Sequence, residues 1–128
     1  MSDLKKFTSN KLQFSAAPYS LGIEHNGMIY LSGQVPINHK DNSVVLGDIS
    51  VTSRKVLENI KMILEENAYS LKDIVKVSIF LTDMGDFAEL NKVYSEYFND
   101  HKPSRTCVAV AGLPLGVNVE MEVLIRAK

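Results

Sequence analysis

Two different hydrophobic periods alternate along this chain and divide it into elements. Val56, Leu57, Ile60, Ile63 and Leu64 stand at offsets 0, 1, 4, 7 and 8. That is one apolar stripe on a 3.6-residue repeat, so a helix is predicted there, with Ser50, Thr52 or Ser53 as its N-cap. The following run, IVKVSIFLTD, changes to period two. Val75, Val77, Ile79 and Leu81 take one face and Lys76, Ser78, Phe80 and Thr82 the other, as in a strand. A second helix is expected over Asp86 to Asn99, where Phe87, Leu90, Tyr94, Tyr97 and Phe98 share a face. Asp86 suits its positive end, and Pro103 closes the stretch.

Shorter signals fill in the rest. Asn26-Gly27 between two apolar-rich runs predicts a two-residue hairpin turn. LKKFTS reads as a short first strand, and QVPINHKDNSVVLGD as a loop with a brief strand at Val44 to Leu46. Arg105 to Val110 and Val119 to Arg126 are the last two strands, joined by AGLPLGVN. The order (strands, helix, strand, helix, strands) predicts an α+β domain with both helices on one face of a mixed sheet.

In the last strand Val119, Met121, Val123 and Ile125 point one way, under the helices, and Glu120, Glu122, Leu124 and Arg126 the other. The far face of the sheet is therefore mixed, with Phe80 and Leu124 among charges. Period alone leaves two readings open: a solvated face, or one packed against other copies of the chain.

Composition narrows the class. At 128 residues the chain is most economically one domain spanning 1–128. A formal net charge of −1 gives no general attraction for nucleic acid or anionic membrane. No apolar run is long enough to cross a bilayer. The lone cysteine, Cys107, fits a reducing compartment. The start, MSDLKKFTSN, has no apolar stretch of the secretory kind and reads as a cytosolic terminus.

Five positions then carry possible chemistry. Arg105 places a permanent charge at the head of the apolar run TCVAVA, which reads as buried or half-buried. On adjacent antiparallel strands Arg105 and Glu120 could form a cross-strand salt bridge. Alternatively they have separate jobs: a guanidinium fork grips a carboxylate, and a carboxylate accepts a proton from water. Asn91 lies about 40° from Phe87 around its helix, inside the apolar stripe. Its amide needs a partner, which is the backbone, a ligand, or loops of a site that it anchors. Cys107 shares strand parity with Arg105, but a lone cysteine commonly acts as a small hydrophobe. Tyr19, stiffened by Pro18, is either a core ring or a ring over a ligand. His25, His39 and His101 do not have metal-ligand spacing.

Taken together, APYS, YLSGQVP, VLENIKMILEE, FAELNKVYSEYF and PSRTCVAVAGLPLGVNVEMEV resemble the RidA/YjgF family of reactive-intermediate deaminases in order and spacing. The likeness runs from about Tyr19 to the C-terminus, and P-S-R-T-x-V with a downstream E-M-E is its most specific part. It implies a chorismate-mutase-like two-layer fold and a cytosolic homotrimer around a central barrel, with sites in clefts between subunits. It also implies hydrolysis of enamines and imines such as 2-aminoacrylate, 2-iminopropanoate and 2-iminobutanoate to 2-keto acids and ammonia, without a cofactor.

By the same resemblance Arg105 clamps the substrate carboxylate and Glu120 positions the attacking water. Gly33, Thr106 and Cys107 line the pocket, Tyr19 packs beside the substrate, and Asn91 is the helix asparagine near the site. Ala17 and Leu21 stand where relatives often have Gly and Gln, and Thr52 and Lys55 where they have glutamines, which bears on pocket shape and substrate preference. The same resemblance includes RNA-cleaving inhibitors of translation as an alternative function, and a third reading is a non-catalytic module that binds a 2-keto acid or shields another enzyme.

Overall fold

A computed structural model of the chain describes residues 4–11 and 17–128. Met1 to Asp3 of the leading stretch, and Ala16 before the Tyr19 segment, lie outside them. The elements are β1 (Lys5–Phe7), β2 (Gly22–His25), β3 (Met28–Leu31), β4 (Ile37–Asn38), β5 (Ser43–Val44), α1 (Ile49–Glu66), β6 (Ile74–Leu81), α2 (Phe87–Tyr97), β7 (Ser104–Ala109) and β8 (Val119–Arg126). Six of the strands form one sheet in the order β1-β2-β3-β8-β6-β7, while β4 and β5 pair separately. The pairing of β6 with β7 is parallel and the others are antiparallel. The sheet is mixed, and both helices pack on one face of it.

Local chemistry explains each element. Asn26 and Gly27 both take positive φ, 50° and 80°, the backbone a two-residue turn between β2 and β3 requires. The α1 stripe of Val56, Leu57, Ile60, Ile63 and Leu64 is buried against the sheet. Its cap is Asp48, whose carboxylate accepts from the Val51 amide at 3.2 Å, and not Ser50, Thr52 or Ser53. Thr52 and Ser53 are buried inside the helix, and the Ser53 hydroxyl donates to the Ile49 carbonyl.

Further expectations shift by small steps. The brief strand is Ser43–Val44 instead of Val44 to Leu46, and it has a partner, β4, that the loop residues had hidden. A register irregularity between Ile74 and Lys76 turns Ile74 into the core, at 1% exposure, and leaves Val75 out at 44%. A bulge of this kind inserts a residue that period two cannot anticipate. In α2 the buried residues are Leu90 and Val93, with Phe98 buried just beyond its end, while Phe87, Tyr94 and Tyr97 are half-buried.

The largest correction concerns β7. Its apolar sequence suggests an interior strand beside β8, but β6 lies between the two and β7 is the sheet edge. Val108 is 42% exposed there. A parallel β6-α2-β7 crossover places β7 on the outer side of β6, and β8 fills the inner side.

Candidate functional site

Strand pairing fixes which way each candidate faces. Arg105 and Cys107 pair with Val77 and Ile79, both fully buried under the helices, so they stand on the helix side of β7. Glu120 pairs with Phe80 on the opposite face. Two strand spacings and three residues along the sheet separate Arg105 from Glu120, about 14 Å between backbones. The cross-strand salt bridge is therefore excluded, and the two residues do not meet within one chain.

Around Arg105 the helix supplies the contacts. Phe87, Asn91 and Tyr94 recur at helical spacing on the α2 face that passes over β7. Arg105 Nη1 donates to Asn91 Oδ1 at 2.8 Å. The guanidinium carbon lies 5.5 Å from the Phe87 ring centroid and 4.8 Å from that of Tyr94, both within cation–π range. The partner of the Asn91 amide oxygen is thus not the backbone but the arginine itself. Phe87 and Tyr94, read in the sequence as an apolar stripe, are walls of this site. Their signal was the spacing that puts them on either side of Asn91.

Cys107 is half-buried beside this group. Burial pushes its thiol pKa up, and the Arg105 charge opposes that only in part. A thiol held protonated is a poor nucleophile. Thr106 faces the other way, exposed, and accepts from Lys76 Nζ at 3.1 Å. Its side chain does not join Arg105 and Cys107.

A second group forms around Glu120. Gln34 makes an isolated bridge to Met121, its amide donating to the Met121 carbonyl at 2.7 Å and its carbonyl accepting at 3.0 Å. This holds Gly33 directly against Glu120. A Cβ on Gly33 would lie 1.9 Å from Glu120 Oε2. Glycine is needed here for space, since Gly33 does not occupy the positive-φ region. Burial, reinforced by the nearby Glu122, raises the Glu120 pKa. The segment that follows Tyr19 runs beside Ser32, next to Gly33. The Ser32 hydroxyl donates to Ser20 O at 2.7 Å and the Ser32 amide to Leu21 O at 2.8 Å, tying the Tyr19 segment to the Gly33 segment. Tyr19 itself is 58% exposed.

The candidates thus form two half-sites. One has Asn91, Arg105 and Cys107 with Phe87 and Tyr94; the other has Tyr19, Gly33 and Glu120. The far face of the sheet carries a depression of about 380 Å³ lined by Tyr30, Lys76, Ser78, Glu122 and Leu124 among others. Among the described residues no three His, Cys, Asp or Glu side chains converge as metal ligands. No helix among them is long and apolar enough to cross a membrane.

The chain is similar to known proteins over most of its length. The family model described as endoribonuclease L-PSP matches residues 9–127. Protein HMF1 of Saccharomyces cerevisiae is 52% identical over 110 residues, covering 86% of this chain and 84% of that protein. The mitochondrial protein MMF1 of the same yeast is 50% identical over 114 residues, 89% of this chain and 78% of that one. A 2-iminobutanoate/2-iminopropanoate deaminase of Salmonella typhimurium is 36% identical over 123 residues, covering 94% of this chain and 95% of the enzyme. In structure, E. coli TdcF with bound serine superposes with a TM-score of 0.87 at 33% identity, covering 97% of this chain and 99% of that one.

Proposed function

The chain belongs to the endoribonuclease L-PSP family, the RidA/YjgF family of the sequence resemblance, and from that premise we propose that it hydrolyses 2-imino and 2-enamino acids to 2-keto acids and ammonia. The observation that carries this reading is Arg105. Its guanidinium sits half-buried at a sheet edge, and among the described residues no carboxylate pairs with it. A fixed positive charge of that kind suits a small ligand carboxylate. The serine held by TdcF carries such a group, and so do the imines named for the Salmonella relative.

In this reading Arg105 grips the carboxylate, and Asn91 and Cys107 belong to the wall around it. Glu120, seated on Gly33 with Tyr19 nearby, takes a proton from water. The pKa of Glu120 is raised by burial, which makes it a better base than an ordinary glutamate once it is ionised. A protonated imine carbon is already electrophilic, so orientation and one base account for most of the acceleration. The Thr106 contribution is confined to its backbone, because its side chain faces away.

The two half-sites lie on opposite faces, so a cleft containing both needs a second copy. A head-to-tail contact that closes on itself places one half from each copy in every cleft. We assign a homotrimer of a single 1–128 domain, with the far face of the sheet turned inward as a barrel and the protein in the cytoplasm. A coupled assay tests the reaction: a dehydratase generates 2-aminoacrylate, and this protein should hasten release of pyruvate in proportion to its concentration. No acceleration by folded oligomer would refute it.

The description of the family names an endoribonuclease, so RNA cleavage is the second reading. It requires phosphate contacts, whose signature is binding that weakens steeply with salt and falls on loss of Arg105. The net charge of −1 offers little support for such contacts.

A further inference from the structure

The environment of Arg105 differs in kind from that of the other arginines. The chain has three. Arg54 pairs with Glu96 through two hydrogen bonds, 2.8 and 3.2 Å, and Arg126 reaches Asp73 at 3.5 Å. Arg105 alone is held by a neutral amide, Asn91 Oδ1. An aspartate would fit the same position with almost the same shape and would form a stronger, charge-assisted bond. It would also neutralise the arginine. The amide orients the guanidinium and leaves its charge available.

The two rings act in the same direction. Both present their faces to the guanidinium carbon, so they support the cation and restrict where water and ligand approach it, without supplying a countercharge. Burial pushes the Tyr94 phenol up to about 12, which keeps it neutral. Its hydroxyl is buried and, among the described residues, has no hydrogen-bond partner. It is the ring of Tyr94 that meets the guanidinium.

We infer that Asn91, Phe87 and Tyr94 are positioning residues that fix the Arg105 guanidinium while preserving its full charge for a ligand carboxylate. This deepens the proposed function and rests on its carboxylate-binding step. Arg105 touches the ligand, and the three α2 residues act through it. The prime determinant is the neutrality of position 91.

Binding of 2-oxobutanoate to the full-length protein, measured by calorimetry beside a thermal melt, tests this. Asn91→Asp should weaken binding roughly 30-fold, as an internal carboxylate competes with the ligand's. Its melting temperature should equal or exceed that of the parent, which a merely structural role for Asn91 does not predict. Tyr94→Leu should weaken binding roughly tenfold, and Tyr94→Phe, which keeps the ring, should recover most of that loss. Binding by Asn91→Asp within twofold of wild type would overturn the inference while leaving the deaminase reading intact. Equal losses in Tyr94→Phe and Tyr94→Leu would overturn the role of the ring even where Asn91→Asp does not fold. Wild-type protein that binds 2-oxobutanoate but does not hydrolyse imines would defeat the deaminase reading and leave the inference standing. Wild-type protein that does not bind it would defeat both.

Discussion

Gly33→Ala is a small change with a large expected effect. The added methyl would lie 1.9 Å from Glu120 Oε2, where ordinary contact begins at 3.4 Å. The carboxylate must retreat by about 1.5 Å, the difference of those two distances. It is the far end of a flexible side chain, so it moves without unfolding the strand. Alanine is compatible with the backbone at this position, and the loss of glycine's freedom in the unfolded chain offsets part of any strain, by about 0.4–1 kcal/mol. A displacement of about 1 Å in a catalytic group can cost a factor of 100. We expect kcat to fall about 100-fold, equivalent to about 2.7 kcal/mol of transition-state stabilisation. Affinity for 2-oxobutanoate should change less, because the Arg105 half-site is untouched. The coupled 2-aminoacrylate assay, run beside calorimetry and a thermal melt, separates these effects. Gly33→Ala with wild-type turnover would show that Glu120 is not held in place by its contact with Gly33, or that its place does not matter.

Three other substitutions and one pH profile follow from the same geometry. Glu120→Gln should lose about two to four orders of magnitude in turnover, the usual worth of a general base, while still binding 2-oxobutanoate. Because burial raises the Glu120 pKa above its ordinary 4.5, wild-type turnover should fall with decreasing pH before an unperturbed glutamate would titrate. The same raised value means that the folded protein disfavours the carboxylate. The stability this group contributes is complete below its unfolded pKa and is lost as pH rises through the folded one. Glu120→Gln should therefore melt above wild type near neutral pH and converge with it in acid; a lower melting temperature at neutral pH would contradict that. Arg105→Lys should recover little of the affinity lost in Arg105→Ala, because an ammonium cannot reproduce the planar fork; full recovery would point to charge alone. Cys107→Ser should keep substantial activity, since burial holds the thiol protonated; a loss as large as that of Arg105→Ala would reopen covalent catalysis.

The residues that determine most of the fold are legible in the sequence because each reports a local cause. The α1 stripe, the Asn26-Gly27 turn and the limits of β8 need only periodicity and backbone preference. Asp48 was missed as a cap because three hydroxyl residues just after it offered the same chemistry. Val75 was misplaced because a bulge breaks alternation without leaving a mark in composition. The position of β7 was the consequential error. Its apolar residues look the same on an edge as in an interior, and only the crossover through α2 decides which side of β6 it takes. Taking β7 as the neighbour of β8 sets Arg105 beside Glu120, whereas β6 separates them. Asn91 was recognisable as an anomaly from its angle on the helix, but its partner was not, since the contact spans two elements whose packing no local pattern encodes. Arg105, Glu120, Asn91, Cys107 and Tyr19 stand out as candidates by residue type and position, whereas Gly33, Thr106 and the role expected of each come from motif resemblance, which carries non-local information that periodicity lacks.

The central claim is that one active cleft draws Arg105 from one copy and Glu120 from the next, and mixed oligomers test it most directly. Arg105→Ala and Glu120→Gln chains, each inactive alone, are co-refolded in equal amounts and assayed for 2-aminoacrylate hydrolysis. In a closed head-to-tail ring with random mixing, about one cleft in four combines an intact arginine with an intact glutamate. The mixture should regain about a quarter of wild-type turnover. Mixed oligomers no more active than either parent would place both residues' roles within a single chain, or remove them from the mechanism.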